Sequence, residues 1–155
     1  MSPKTPEEAK KMENVPFRQL AGGLLYVSQC TRLDIAHGVN TVGKFSGNPG
    51  QAHWTAAKRI LRYLKSTERL KLTYIKQNTA KCRGFSDADW GNDKETRRSV
   101  TGYTFIHAGG AVAWSCRRQP TVALSTFEAE YMALSAATQE AIWWRWNRIE
   151  VATIL

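Results

Sequence analysis

Two short acidic segments contain the residues whose types and spacing best suit chemistry. Residues 84–90 (GFSDADW) include Asp87 and Asp89, and residues 125–131 (STFEAEY) include Glu130. Asp87 ends a run typical of a strand, whereas Glu130 lies within the first two turns of a predicted helix, so both carboxylates are expected over one sheet edge. Carboxylate oxygens suit Mg²⁺ or Mn²⁺, and two such ions about 3.5 to 4 Å apart promote phosphodiester hydrolysis. The pattern predicts a metal site at Asp87 and Glu130, with Asp89 as a further candidate ligand because strand side chains alternate.

Ordinary structural roles compete with this interpretation. Glu128 stands three residues after Ser125, which predicts a capping box, and Glu130 by itself is typical of a helix-dipole carboxylate. Asp89 and Asp93 lie in a segment with Gly and Asn that favours a turn. The other polar groups nearby are most simply a strand-end histidine and solvated loop charges: His107, Arg97, Arg98, Arg117 and Arg118.

Composition restricts the class of protein. The chain has 155 residues, 43% of them hydrophobic, which is enough for a domain with a buried core. Its 22 Lys and Arg against 13 Asp and Glu give a net charge of +9, which favours a polyanionic partner such as nucleic acid. The three cysteines and three histidines have no zinc-ligand spacing. Without a signal peptide or a long apolar stretch, the sequence predicts a cytoplasmic protein, with a nuclear location as the alternative.

The first half of the chain has helical periodicity. Apolar residues recur every three or four positions in three stretches, which predicts three helices. These residues are Phe17, Leu20, Leu24 and Val27; Ile35, Val39, Val42 and Phe45; and Trp54, Ala57, Leu61 and Leu64. A basic face on the third helix either is solvated or binds phosphates. The candidate nucleic-acid contacts are Lys58, Arg59, Arg62 and Lys65, with Arg97 and Arg98 in the second half.

The second half has strand-like patterns and one long helix. Three or four antiparallel strands are predicted from runs at residues 70–75, 82–87, 99–107 and 111–115. Gly109 and Gly110 predict a tight hairpin between the last two runs, because glycine tolerates positive φ. From Ser125 to about Glu150 the composition favours helix. The fold class expected is therefore α/β of the α+β type.

Between residues 15 and 144 the chain resembles the Pol polyprotein of copia-type retrotransposons, from the end of the reverse transcriptase into the ribonuclease H domain. Eight segments carry the resemblance in the family's order. They are residues 17–22 (FRQLAG), 30–37 (CTRLDIAH), 53–54 (HW), 58–65 (KRILRYLK), 86–90 (SDADW), 97–103 (RRSVTGY), 119–126 (QPTVALST) and 128–134 (EAEYMAL).

The resemblance implies a truncated ribonuclease H-like mixed sheet with a long helix, preceded by a helical connection segment. In the family, four acidic residues bind two Mg²⁺ ions and hydrolyse the RNA strand of an RNA/DNA hybrid. Asp87 matches the first-strand aspartate that bridges both ions, and Glu130 matches the first-helix glutamate that holds one. The implied division is a flexible N-terminus (1–14), a reverse-transcriptase connection-like segment (15–69), a partial ribonuclease H-like domain (70–148) and an unrelated tail (149–155).

The third and fourth acids of the family have no counterpart in this sequence. After Glu130 the acidic residues are Glu140 and Glu150, which belong to the same predicted helix or its end. In the family the third acid lies on a strand that pairs in parallel with the strand ending at Asp87. The resemblance therefore implies that this edge of the sheet is left open.

An open edge has consequences for partners. Together with an apolar patch expected from Trp143, Trp144 and Trp146, it predicts self-association or pairing with a partner chain. Three functions stay open at this point. They are a catalytically incomplete retrotransposon fragment of ribonuclease H ancestry, a nuclease completed by a partner chain, and a non-enzymatic module that binds nucleic acid or protein.

Overall fold

The computed structural model describes residues 2–76, 81–93, 95–146 and 151–154. The chain forms two compact units, Met1–Lys71 and Leu72–Leu155. The first unit is helical, and the second combines a sheet with one long helix. Within the described ranges, no helix is both long and apolar enough to cross a membrane.

Helices α1 (Pro6–Glu13), α2 (Phe17–Cys30), α3 (Ala36–Gly43) and α4 (Gln51–Ser66) build the first unit, with a 3₁₀ turn at Leu33–Ile35 before α3. The three helices predicted from apolar spacing are α2, α3 and α4, so that prediction is confirmed. Their apolar faces share one core, in which six of the twelve predicted positions are buried, whereas Leu61 is 48% exposed. The buried members of this core are Phe17, Ala21, Leu24, Ile35, Val39, Val42 and Ala57.

Residues 1–14, which the sequence predicted to be flexible, contain α1. The Thr5 side chain accepts a hydrogen bond from the Glu8 backbone N–H at 3.3 Å and caps the helix. Met12 is buried. One apolar contact and a cap order this helix, although its polar sequence lacks an apolar stripe.

A polar cluster ties the loop after α2 to the end of α4. Arg32 donates from Nε and NH2 to the Asp34 carboxylate at 3.0 and 2.8 Å, and from NH1 to the Thr67 carbonyl at 3.2 Å. Tyr63 donates its hydroxyl to the same carboxylate at 2.9 Å. Hydrogen bonding from Arg32 lowers the pKa of Asp34 below its ordinary value. The guanidinium also complements the negative end of the α4 dipole.

The second unit contains β1 (Cys82–Asp89), β2 (Val100–His107), β3 (Gly110–Arg118), α5 (Thr126–Trp146) and β4 (Val151–Ile154). The strand order is β3-β2-β1-β4, with β1, β2 and β3 antiparallel and β4 parallel to β1. The predicted α/β class is confirmed by this arrangement. Helix α5 packs on one face of the sheet through fully buried alanines, Ala129, Ala133 and Ala137. The predicted continuation of α5 through residues 147–150 lies outside the described residues.

The hairpin between β2 and β3 forms where it was predicted, one residue earlier than expected. Its turn residues are Ala108 and Gly109, with φ of 51° and 84°, as two-residue primed turns require. Gly110 belongs to β3, and a Cβ there would lie 2.7 Å from the Thr73 carbonyl oxygen. The close approach of another segment therefore explains why residue 110 is a glycine.

That approaching segment is residues 70–75, whose predicted strand is wrong. In the structure it has no regular secondary structure and does not join the sheet, and it contacts the hairpin instead. The Ile75 backbone N–H donates to the Ala108 carbonyl at 2.7 Å, and the Tyr74 hydroxyl donates to the Ala111 carbonyl at 2.7 Å. Alternating apolar residues suit this role as well as they suit a strand.

The edge of β1 that was expected to be open is partly covered, which corrects that expectation. Strand β4 pairs with β1 at Cys82, Arg83 and Gly84, with an irregular register between the first two. Residues 85–89 of β1 have no strand neighbour on this side among the residues the structure describes. Four residues of the tail are thus enough to extend the sheet, and the Asp87 end of the edge remains accessible.

The Arg32 cluster gives a pH-dependent stability prediction. Because the pKa of Asp34 is depressed on folding, its stabilisation is fully present above the unfolded pKa of about 3.9 and is lost as pH falls through the folded value. Arg32→Gln is expected to lower the free energy of unfolding by about 1 to 2 kcal/mol at neutral pH. Urea denaturation at neutral and acidic pH measures this difference. Arg59→Gln on the exposed face of α4 is the control, and an equal loss in acid would contradict the assignment to Asp34.

Candidate carboxylate site

Asp87 and Asp89 lie on β1, where sheet pairing fixes their direction. Asp87 is opposite Gly102 and Asp89 is opposite Val100. Gly84, three residues before Asp87, faces the buried Phe105 ring, because a Cβ on Gly84 would lie 2.6 Å from that ring. Phe105 packs in the core cluster that includes α5. Since side chains alternate along a strand, both aspartates lie on the sheet face away from α5, and both are exposed.

Glu130 lies near the start of α5, where the chain caps the helix. Ser125 Oγ accepts from the Glu128 backbone N–H at 3.1 Å, as a capping box predicts. The Glu128 carboxylate accepts from the Leu124 N–H at 2.7 Å, one residue before the expected Ser125 partner. Glu130 follows the fully buried Ala129 and is exposed. Glu128 therefore has a structural role, and Glu130 is left at the surface.

The side-chain amide of Gln119 joins this end of α5 to the strands. Gln119 is 3% exposed, and its Nε2 donates to Thr101 Oγ1 at 3.0 Å and to the Ala129 carbonyl at 2.9 Å. Thr101 is the residue opposite Ala88 on β1. The amide thus links Ala129, the residue before Glu130, to Thr101, which lies opposite the β1 residue between the two aspartates. Both acceptors are oxygens, which fixes the orientation of the amide.

The loop between β1 and β2 closes the same end of the sheet. Trp90 donates its indole N–H to the Ala123 carbonyl at 3.1 Å, which ties the end of β1 to the segment before α5. The buried Asp93 accepts from Thr96 Oγ1 at 2.8 Å and from Arg118 at 2.9 Å. Asp93 is therefore the turn residue that the sequence predicted. Asp89, the alternative turn residue, ends β1 and accepts a hydrogen bond from the Asn92 amide.

The structure brings the predicted carboxylates to one end of the sheet but assigns them to different layers. Asp87 and Asp89 lie on the open face, and Glu130 lies on the helix that covers the other face. Among the described residues, neither the Asp87 carboxylate nor the Glu130 carboxylate makes a hydrogen bond or an ion pair.

The chemistry of these donors suits a hard cation, but their grouping is incomplete. Carboxylate oxygens are the preferred ligands of Mg²⁺ and Mn²⁺. Within the described part of the chain, no three His, Cys, Asp or Glu side chains are grouped closely enough to hold a metal ion. The next acid, Glu140, accepts from the Tyr103 hydroxyl at 3.3 Å and the Trp144 indole at 3.1 Å. Burial, with the negative charge of Glu140, raises the pKa of Tyr103.

The predicted basic residues are divided between the two units. Lys58, Arg59, Arg62 and Lys65 are all exposed on α4, which contains no acidic residue. The Lys58 ammonium lies 5.5 Å from the centre of the Trp54 ring. Arg97 and Arg98 lie in the β1–β2 loop, with a φ of 56° at Arg97. The loop-charge interpretation of Arg117 and Arg118 is wrong, since both end β3, and Arg118 pairs with Asp93.

Sequence reasoning missed the structural roles of Gln119 and Trp90. Both residues lie inside the segments that carry the family resemblance, but no local pattern marks them as positioning residues. Gln119 is 18 residues from Thr101 and 10 from Ala129, and Trp90 is 33 residues from Ala123. The available signal for Gln119 was a polar residue a few positions after a predicted strand, and such residues are common in loops.

Comparisons with known proteins relate the chain to transposon sequences. Secreted RxLR effector protein 161 of Plasmopara viticola is 49% identical over 132 residues, which cover 85% of this chain and 93% of that protein. The retrovirus-related Pol polyprotein from transposon TNT 1-94 of Nicotiana tabacum is 45% identical over 143 residues, covering 92% of this chain and 11% of the polyprotein.

A second polyprotein gives a weaker match of similar extent. The retrovirus-related Pol polyprotein from transposon RE1 of Arabidopsis thaliana is 35% identical over 134 residues, covering 86% of this chain and 9% of the polyprotein. The chain therefore spans a small part of the polyproteins it matches. No protein-family model and no solved structure matches it.

The Gln119 amide provides a test of how this end of α5 is held. Gln119→Met is expected to lower the free energy of unfolding by about 2 to 3 kcal/mol, because two buried hydrogen bonds are lost and their acceptors stay buried. It is also expected to speed hydrogen exchange in the first two turns of α5 relative to the last two. Thr101→Val, which removes one of the two acceptors, is the milder comparison. Uniform exchange along α5 in Gln119→Met would contradict a local role.

Proposed function

We propose a function on the premise that the chain belongs to the same family as secreted RxLR effector protein 161 and is a fragment related to retrotransposon Pol polyproteins. The proposal is that its second unit is an incomplete ribonuclease H-like domain of copia type. On this proposal, Asp87 and Glu130 are the two retained members of a four-carboxylate set. The first unit corresponds to the connection segment that follows the polymerase. The ancestral activity is metal-dependent hydrolysis of the RNA strand of RNA/DNA hybrids.

The observation that carries the proposal is the order of the strands around α5. Three antiparallel strands lead into α5, and the strand after α5 pairs in parallel with β1. The resemblance implies this arrangement for the front of a ribonuclease H domain. Asp87 lies near the end of β1, and Gln119 holds the start of α5 beside that end. The positions of both carboxylates thus agree with the proposal.

The same observations support the loss of activity. Asp87 and Glu130 are the residues that would hold Mg²⁺ or Mn²⁺, and the bound ion would supply positive charge for the attacking and leaving oxygens of a phosphodiester. Two carboxylates leave most of the coordination shell to water. Glu140 does not replace a missing acid, because Tyr103 and Trp144 already bond its carboxylate on the sheet side of α5.

An RNA/DNA hybrid assay tests the proposal directly. The purified chain is expected to give no more cleavage of a labelled hybrid with Mg²⁺ or Mn²⁺ than Asp87→Asn gives, because the ligand set is incomplete. Circular dichroism establishes that both proteins are folded. Metal-dependent cleavage abolished by both Asp87→Asn and Glu130→Gln would overturn the incomplete-enzyme proposal and favour a site completed by another chain.

A second candidate function, nucleic-acid binding, is favoured by the charge of the first unit. Residues 1–71 carry 12 of the 22 Lys and Arg but five of the 13 acidic residues. On α4, Lys58, Arg62 and Lys65 follow helical spacing and form one exposed basic face. Such a face attracts phosphates without reading bases, so the expected binding is independent of sequence and sensitive to salt.

Salt dependence of hybrid binding tests this second function. Fluorescence anisotropy with a labelled RNA/DNA hybrid is expected to show affinity falling steeply as salt rises. Arg62→Gln and Lys65→Gln should each reduce the slope of log K against log salt by about 1, because each removes one phosphate contact. Lys10→Gln on α1 removes the same charge from the same unit and should change the slope less. Equal effects of all three would indicate attraction by net charge alone.

A further inference from the structure

Helix α5 carries large apolar side chains on the surface that points away from the sheet. Phe127, Tyr131, Leu134 and Ile142, with Thr138 among them, follow spacings of three and four residues and are all exposed. We call these five residues the outer stripe of α5. It runs along about 22 Å of the helix, and exposed Leu124 and Trp146 extend it at the two ends.

The opposite surface of α5 carries small side chains. Ala129, Ala133 and Ala137 are fully buried against the sheet, so the helix is apolar on two sides. A helix that is apolar all round is typically covered on more than one side. Burial of Thr138 in the outer stripe leaves no unpaired hydroxyl donor, because its hydroxyl already donates to the Leu134 carbonyl at 2.8 Å. Covering the stripe thus costs no hydrogen bond at Thr138.

We propose that the outer stripe of α5 is a dimerisation surface that packs against the same stripe of a second copy of this chain, with the two helices antiparallel. The stripe with Leu124 and Trp146 exposes on the order of 800 Å² per copy, which is what a stable interface buries on each partner. The sequence predicted self-association through the sheet edge and an apolar patch at Trp143, Trp144 and Trp146, whereas this surface runs along the whole of α5 and includes Trp146 at one end. A two-fold axis near Leu134 makes the contact self-complementary and closed.

Charge favours the antiparallel orientation. The first turn of α5 carries Glu128, with Glu130 just after it, and the last turn carries Arg145. In the antiparallel pair, each Arg145 meets the acidic start of the opposite helix, and the helix dipoles oppose each other. A parallel pair places like charges together at both ends, which is unfavourable.

Sedimentation equilibrium of the full chain over a wide concentration range tests the proposal. Twice the chain mass of 17.5 kDa is expected, with Tyr131→Ser weakening the association at least about tenfold through lost apolar burial. Tyr26→Ser is the matched control, because Tyr26 on α2 is 69% exposed and Tyr131 is 67% exposed. A monomer at about 100 μM, a series of species larger than the dimer, or equal effects of the two substitutions would overturn the proposal.

Disulfide trapping tests the orientation. Single cysteines are introduced in a Cys30→Ser, Cys116→Ser background, with the fully buried Cys82 retained. Leu134→Cys, near the proposed axis, is expected to cross-link to itself under mild oxidation. Phe127→Cys is expected not to, since its copies lie about 20 Å apart in the antiparallel pair. Efficient cross-linking at both positions would indicate parallel helices and overturn this arrangement, and cross-linking at neither would place the interface elsewhere.

Discussion

The close approach of α5 to the sheet is the constraint on which the second unit depends. Ala129, Ala133 and Ala137 present one methyl group each, so the helix backbone lies near the strands and leaves no solvent between them. At this separation a glutamine amide is long enough to join Thr101 to the Ala129 carbonyl. A larger inward residue would lift the helix and break that link. The Gln119 link and the position of Glu130 therefore both follow from three small side chains.

The same constraint explains why the large apolar residues of α5 lie on its outer surface. Because the inner surface accepts alanine, Phe127 and Tyr131 remain for the outer one. The sheet supplies its own bulk from the other side, with the fully buried Phe105 filling the space that Gly84 leaves. Large and small residues thus alternate between the two layers, which is how the inner layer reaches dense packing. The outer layer is packed only when something covers it.

Local patterns in the sequence predicted most of the elements but not the connections between them. Helical spacing identified α2, α3 and α4, and the glycine pair identified the β2–β3 hairpin, because these signals depend on neighbouring residues. The 70–75 segment failed because apolar alternation does not distinguish pairing within a sheet from packing against a hairpin. The role of Gln119 depends on residues far along the chain, and the parallel β4 depends on a strand without a distinctive pattern. For the candidate site, the sequence predicted which carboxylates belong to it, and only the fold showed that they lie in different layers.

Strand β4 makes the second unit slow to complete and quick to open. Its partner β1 is distant in sequence, so their pairing must close a long loop. Pairing with three residues of β1 is all that offsets the entropy cost of that closure. A short edge strand held this way frays far more often than the antiparallel core unfolds. Each opening bares the full length of β1 to other chains and to proteases. Proteolysis that begins at this edge therefore depends on the pairing of β4 with β1 rather than on the strength of the hydrophobic core.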